Sequence, residues 1–275
     1  IMTSHIIASS IGIIARFRME WKRSKKKFLA HKSLTLLMDL HTFWTFLMCI
    51  STLVENSINF HTHLTMTSPA DLFVTSSLCM IRRTPLFLAC YGSIFSQLAM
   101  AFERYRASNN LSSYEHTGRS VGYLLNAAHF TVIGQTLTAL WSDLKGEMST
   151  PHCRSDNMGK SFISPHLQMV SIVAEVVTIS TFKRMFTRNC RLRDNIDNAL
   201  TLSERYQLTE NIRMLRVLLP IIWSHTSLGM IGSALFFICK IVFLSPELYP
   251  LVEETTNILY LQGILMPAIF YFRFR

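Results

Sequence analysis

Charge is scarce in this chain. Asp, Glu, Lys and Arg make up 16% of its 275 residues, where a soluble domain carries about a quarter, while apolar residues reach 49%. That balance argues against one large soluble core and for a surface that need not face water. Acidic residues are the scarcer sign, 17 against 27 basic, a formal charge of +10. A nucleic-acid face would gather the basic residues on one surface. Here they lie in separate stretches between apolar segments, so no nucleic-acid partner is expected, and anionic lipid or a cytosolic partner is the better reading.

Chemical motifs are missing too. The six cysteines (Cys49, Cys79, Cys90, Cys153, Cys190, Cys239) form no CxxC pair, which leaves neither a zinc site nor a redox motif. His61 and His63 lack a third ligand nearby. There is no HExxH, nucleophile elbow, Walker loop or dinucleotide fingerprint, so enzyme chemistry, a metal and a cofactor have no support. No internal repeat of the kind that builds transporters is visible.

What the chain does have is a series of apolar runs. The central one is free of charge between Pro85 and Phe102, flanked by Arg82 and Arg83 before it and Glu103, Arg104 and Arg106 after it. As a helix, Cys79 to Arg104 would span about 37 Å, slightly more than a bilayer's hydrocarbon core. Similar runs give seven expected spans at about 1–15, 34–54, 79–104, 121–141, 164–181, 217–244 and 255–272. We therefore expect an all-α membrane protein, a single seven-transmembrane helix bundle over 1–275. Ile1 falls inside an apolar stretch, and the first helix reads as truncated.

The basic residues assign the sides. Residues 16–32 and 183–216 are strongly basic, whereas 55–71 hold no Lys or Arg. Of the basic residues only Arg82, Arg83, Lys145, Arg154, Lys160 and Lys240 fall on the opposite side. The positive-inside rule then puts the amino terminus outside and the carboxyl terminus inside. Cys79 and Cys153 both fall on the oxidising side and are the favoured disulfide, tying the second outer loop to the third span. A free, buried Cys79 is the alternative.

An odd number of spans, an outer cysteine in the third and an acid–arginine pair at its inner end resemble a G-protein-coupled receptor. Glu103-Arg104-Tyr105-x-Ala107, then Tyr114-Glu115-x-x-Gly118 and Val121-Gly122-x-x-Leu125, resemble the third-to-fourth-span region of nematode serpentine chemoreceptors of the Sra superfamily. The segment from Leu202 through Glu204, Arg205, Tyr206 and Glu210 to Arg213 resembles the pattern before the sixth helix in the alpha/beta class. Met266-Pro267-Ala268-Ile269-Phe270-Tyr271 departs from the Asn-Pro-x-x-Tyr of rhodopsin-like receptors. The resemblance implies a chemosensory receptor at the plasma membrane, in sensory-neuron cilia, that takes a small-molecule chemical cue and signals through a heterotrimeric G protein. A receptor oligomer is left open, and a transporter or ligand-gated channel is the rival class.

Within that frame, Glu103, Arg104 and Tyr105, with Arg205, Tyr206, Glu210 and Arg213, are the candidate coupling residues. Leu202, Tyr206, Leu208, Ile212 and Leu215 recur at roughly helical spacing, so the segment should extend the sixth span inward, with Arg104 pairing with Glu103 or reaching Glu210. Tyr91, Gln135, Trp141, Glu175, His225, Tyr260 and Gln262 are candidate cue contacts. Glu175 stands out because a carboxylate near mid-membrane is costly and faces the bundle interior. His129 reads as an interhelical hydrogen-bonding residue.

Overall fold

A computed structural model describes residues 2–25, 31–68, 73–114, 119–142, 149–150, 163–195, 201–242 and 258–273. Its helices are α1 (Met2–Lys25), α2 (Lys32–Thr65), α3 (Ser76–Asn109), the single turn α4 (Leu111–Tyr114), α5 (Ser120–Ser142), α6 (Ile163–Asp194), α7 (Leu202–Val242) and, after a 3₁₀ turn at Leu259–Leu261, α8 (Gln262–Arg273). Seven of these are the bundle helices. Lys32–Thr65, Ser76–Asn109 and Leu202–Leu235 are, among the described residues, long and apolar enough to cross a membrane on length and composition alone.

Several helices run past the apolar stretches that announced them. The segment 16–32, expected as an inner loop, is helical as far as Lys25. Residues 55–71, expected as an outer loop, are helical to Thr65, and α6 continues through basic sequence to Asp194. A charged side chain ends a hydropathy window without ending a helix, because Lys, Arg and Glu are good helix formers. Glu55 and Arg83 were expected at the outer rim; both are buried, and they pair across α2 and α3 at 3.0 Å.

The helix ends have local causes. His31 caps α2, its Nδ1 accepting from Ser33 N. Thr201 and Glu204 form a capping box at α7: Thr201 N–H donates to Glu204 at 2.9 Å and Glu204 N–H donates to the Thr201 hydroxyl at 3.3 Å. The Thr201 N–H and the Thr201 hydroxyl, both donating to the carboxylate, hold Glu204 below its ordinary pKa.

α3 is the axis, packed against α2, α5, α6 and α7. The largest apolar cluster joins α2, α3, α6, α7 and α8 through Leu37, Met100, Phe182, Leu215, Ile222 and Met266. The opposite faces are apolar as well: Ile7, Ile11, Ile14, Phe17 and Trp21 lie exposed along α1, and Met169, Val173 and Val177 along α6. Exposed apolar rows at helical spacing suit lipid rather than water.

On the side of the expected second outer loop, Val74–Thr75 pairs antiparallel with Ser149–Thr150. This joins the segment before α3 to that between α5 and α6. Cys79, just beyond, is disulfide-bonded; Cys153, its expected partner, lies outside the described residues.

Close approach depends on small residues, Gly92 and Gly263 among them. A Cβ on Gly92 would overlap the Trp44 ring, and one on Gly263 would overlap Cys49 Sγ. Gly92 thus lets the Trp44 indole lie against α3 and donate from Nε1 to His129 Nε2 at 2.9 Å. Gly92→Ala should cost about 1–3 kcal/mol by overpacking and lower the unfolding temperature. Gly134→Ala, at a position open on all sides, should not. Equal midpoints for the two variants would refute this packing.

Candidate functional site

At the inner end of α3 a charge is removed from water and fully partnered. Glu103 and Arg104 are 0% and 2% exposed. Arg104 Nε donates to Glu103 Oε2 at 2.5 Å and Nη2 to Oε1 at 2.7 Å. Nη2 also donates to the Tyr114 hydroxyl at 2.7 Å, and Nη1 to Asn211 Oδ1 at 3.0 Å. Charge-assisted bonds of this kind are the strong ones, and a buried guanidinium needs several of them to offset its lost hydration.

Local sequence brings the partners in. Asn110 leaves the α-helical conformation at φ −122°, ψ 57°, ending α3. The turn α4 that follows carries Tyr114 back beneath α3, where its hydroxyl donates to Glu103. The His31 ring stacks on Tyr114 at 4.3 Å between centroids, with Nδ1 2.9 Å from the hydroxyl. Burial holds the His31 imidazole below its ordinary pKa despite the opposing pull of Glu103. Burial likewise raises the Tyr114 phenol, partly opposed by Arg104. Both are therefore neutral near pH 7.

Asn211 makes the link to α7. Its Nδ2 donates to Ala107 O at 3.3 Å while its Oδ1 accepts from Arg104. α6 is tied to the same end of α3: Asn189 donates to Ser108 Oγ at 3.0 Å, and Arg188 donates to Asn109. The expected Arg104–Glu210 contact is not made. Glu210, half-buried, instead lies 3.8 Å from Arg213. One residue is 100° of helix, and it is Asn211, in phase with the buried Leu208, Ile212 and Leu215, that faces α3. Tyr206 and Leu202, read as part of that apolar face, are 63% and 86% exposed, as is Tyr105 at 52%. Arg213 is exposed and Arg205 half-buried.

A second polar cluster crosses the bundle near its middle. His41 Nδ1 on α2 meets Ser96 Oγ on α3 at 2.9 Å. One turn away, Ser93 Oγ meets His225 Nε2 on α7, also at 2.9 Å. His225 Nδ1 lies 3.5 Å from Glu175 Oε1 on α6. Gly229 makes room for that carboxylate, since a Cβ there would come within 2.7 Å of Oε1. Four helices thus share one row of buried polar groups. Both atoms of the neighbouring Gln97 amide and the Thr226 hydroxyl are buried without a hydrogen bond among the described residues, so the row has unused capacity to bind.

The remaining cue candidates scatter. Tyr91 packs beside Leu40, Trp44 and Ile133. Tyr260 is buried against His5 with ring centroids at 4.8 Å. Gln262 is an interhelical linker, donating to Ile221 O at 3.3 Å and accepting from Ser224 at 3.2 Å. Gln135 faces outward. Trp141, with Leu137, Thr138 and Ser142, lines a shallow depression of about 460 Å³.

Arg104 and Asn211 thus join the third and sixth bundle helices beneath a polar interior, and comparison with known proteins names the family. The model of the serpentine type 7TM GPCR receptor class ab chemoreceptor family matches residues 1–275. The chain belongs to that family. It is 29% identical over 191 residues to serpentine receptor class alpha/beta-14 of Caenorhabditis elegans, covering 67% of this chain and 49% of that protein. To serpentine receptor class alpha-39 of the same organism it is 28% identical over 169 residues, 59% of this chain and 44% of that protein. The chain thus spans about half the length of the curated relatives it matches. As a member of this family it is a multi-pass membrane protein of a receptor family, not of an enzyme family.

Proposed function

We propose that this receptor binds a small extracellular chemical cue in its polar interior and activates a heterotrimeric G protein by releasing α7 from α3. The observation that carries the reading is the Arg104–Asn211 bond, which joins those helices at their inner ends. In the resting receptor Glu103, Tyr114 and Asn211 hold the guanidinium. When α7 moves, Asn211 leaves, and the buried row Leu208, Ile212 and Leu215 becomes a groove for a G-protein helix. The plasma membrane of sensory cilia is the setting the family suggests, and imaging a tagged chain tests it.

Losing a hydrogen bond to a charged group costs about 1.5–3 kcal/mol, enough to shift a closed–open equilibrium by about tenfold or more. Basal signalling of Asn211→Leu, normalised to surface expression, should therefore rise, and Glu210→Gln should stay at the basal level of the parent. Arg104→Glu should lose the response to cue. Unchanged basal activity in Asn211→Leu would remove the lock from the mechanism.

Glu175 and His225 are the proposed cue contacts, because they alone among the candidates meet each other inside the bundle. For a cue found by screening, Glu175→Gln should change potency at least tenfold while surface expression holds. Equal potency would assign the pair to packing.

Cys79 and Cys153 are the proposed disulfide. The pairing of Val74–Thr75 with Ser149–Thr150 supports it by drawing the second outer loop towards the start of α3. Peptide mapping without reductant should recover the two linked; free Cys153 in surface-expressed receptor would exclude the bond.

A further inference from the structure

Arg16 was expected in an inner loop among other basic residues. It lies instead within α1, 2% exposed. None of Nε, Nη1 and Nη2 has a hydrogen-bond partner among the described residues. The groups within electrostatic reach are the Cys49 thiol and Glu20, and His41 feels its charge in turn. Glu20, one turn along α1, is the carboxylic acid among them, and the guanidinium makes no hydrogen bond to it. The contrast is with Arg104, whose four hydrogen bonds leave none of its nitrogens idle.

A guanidinium taken out of water without a counter-charge carries a desolvation cost of several kcal/mol. That cost falls if an anion joins it. The surroundings limit the anion's size. A Cβ on Gly12, one turn from Arg16, would already sit 3.2 Å from Cys49 Sγ and 3.4 Å from the Gly263 backbone, so α1, α2 and α8 are closed on that side. The Tyr260 carbonyl, 3.8 Å from Cys49 Sγ, and the Tyr260 ring on His5 add a further layer. Close packing on that side favours the smallest anions over a lipid headgroup or an extended carboxylic acid.

We propose that the corner between α1, α2 and α8 is a site for a small monovalent anion, chloride in the cell, held by the Arg16 guanidinium. The bound ion neutralises a buried guanidinium that has no hydrogen-bond partner among the described residues and so fastens α1 and α8 to α2. It acts as a structural ligand, apart from the cue contacts on α6 and α7 and from the Arg104 lock.

The test uses purified receptor in zwitterionic phosphatidylcholine nanodiscs, unfolded by heat at constant ionic strength in sodium chloride or sodium gluconate. Chloride at about ten times its dissociation constant should raise the midpoint by about 3 °C. Bromide should substitute, and the bulky gluconate should not. Line broadening of chloride-35 in nuclear magnetic resonance should accompany the effect. Arg16→Gln should unfold at one temperature in both salts and leave the chloride line sharp, while Arg16→Lys, which keeps the charge, should retain a weaker response. Indifference of the parent receptor to the anion, or a full chloride response in Arg16→Gln, would overturn the proposal. If Arg16→Gln does not fold, the chloride-35 signal of the parent against Arg16→Lys decides it: equal sharp lines in both overturn it.

Discussion

Most of the inner half of this receptor follows from the need to satisfy one dehydrated guanidinium. Arg104 sits where neither water nor lipid headgroup reaches it, and each of its donors must meet an acceptor or cost several kcal/mol. Glu103 supplies the charge, but a carboxylate on the adjacent residue cannot also fill Nη1. The chain therefore breaks at Asn110 to return Tyr114 beneath α3, and α7 is rotated so that Asn211 points inward. Capping at His31 and Thr201 fixes where the neighbouring helices begin. Helix ends, helix phase and the packing of Leu208 and Leu215 are in this sense consequences of a single ion.

Because the three partners of Arg104 lie on three elements, Glu103 on α3, Tyr114 on α4 and Asn211 on α7, the cluster records their relative position. Moving any one of them changes the number of acceptors around the charge. A nonpolar contact in the same place would weaken gradually as helices slide, but a hydrogen bond to a buried ion is lost over a fraction of an ångström. That difference makes a polar contact a sharper switch than the apolar cluster around it. The row from His41 to Glu175 has the same character higher in the bundle, and α3 carries both, through Ser93 and Ser96 above and Arg104 below.

The helical bundle was legible in the sequence, since apolar runs and the placement of basic loops respond to a bilayer directly. So was the inward extension of the sixth span, because Leu208, Ile212 and Leu215 keep helical spacing across the expected loop. What escaped was three of the interior charges. Arg16, Glu55 and Arg83 were read as surface markers, as hydropathy treats any charge, although two of them pair with each other inside the bundle. Asn211 escaped for a related reason: an acid at Glu210 looked the better partner for an arginine, and only helical phase, available from the buried leucines, distinguishes the two. Glu175 was legible as costly, but its partner His225 lies 50 residues away on another helix, a distance in sequence that no local pattern reports.

α7 has one further property. It is continuous over 41 residues with Pro220 inside it, and from Pro220 to Leu202 it extends about 27 Å towards the cytosol. A proline removes one backbone hydrogen bond and gives a helix a place to bend. The helix is then a lever pivoted at Pro220, with His225 and the polar row on the short arm and Asn211 on the long one. A tilt of about 10° about Pro220 would move Leu202 by about 5 Å, several times the shift of His225 close to the pivot.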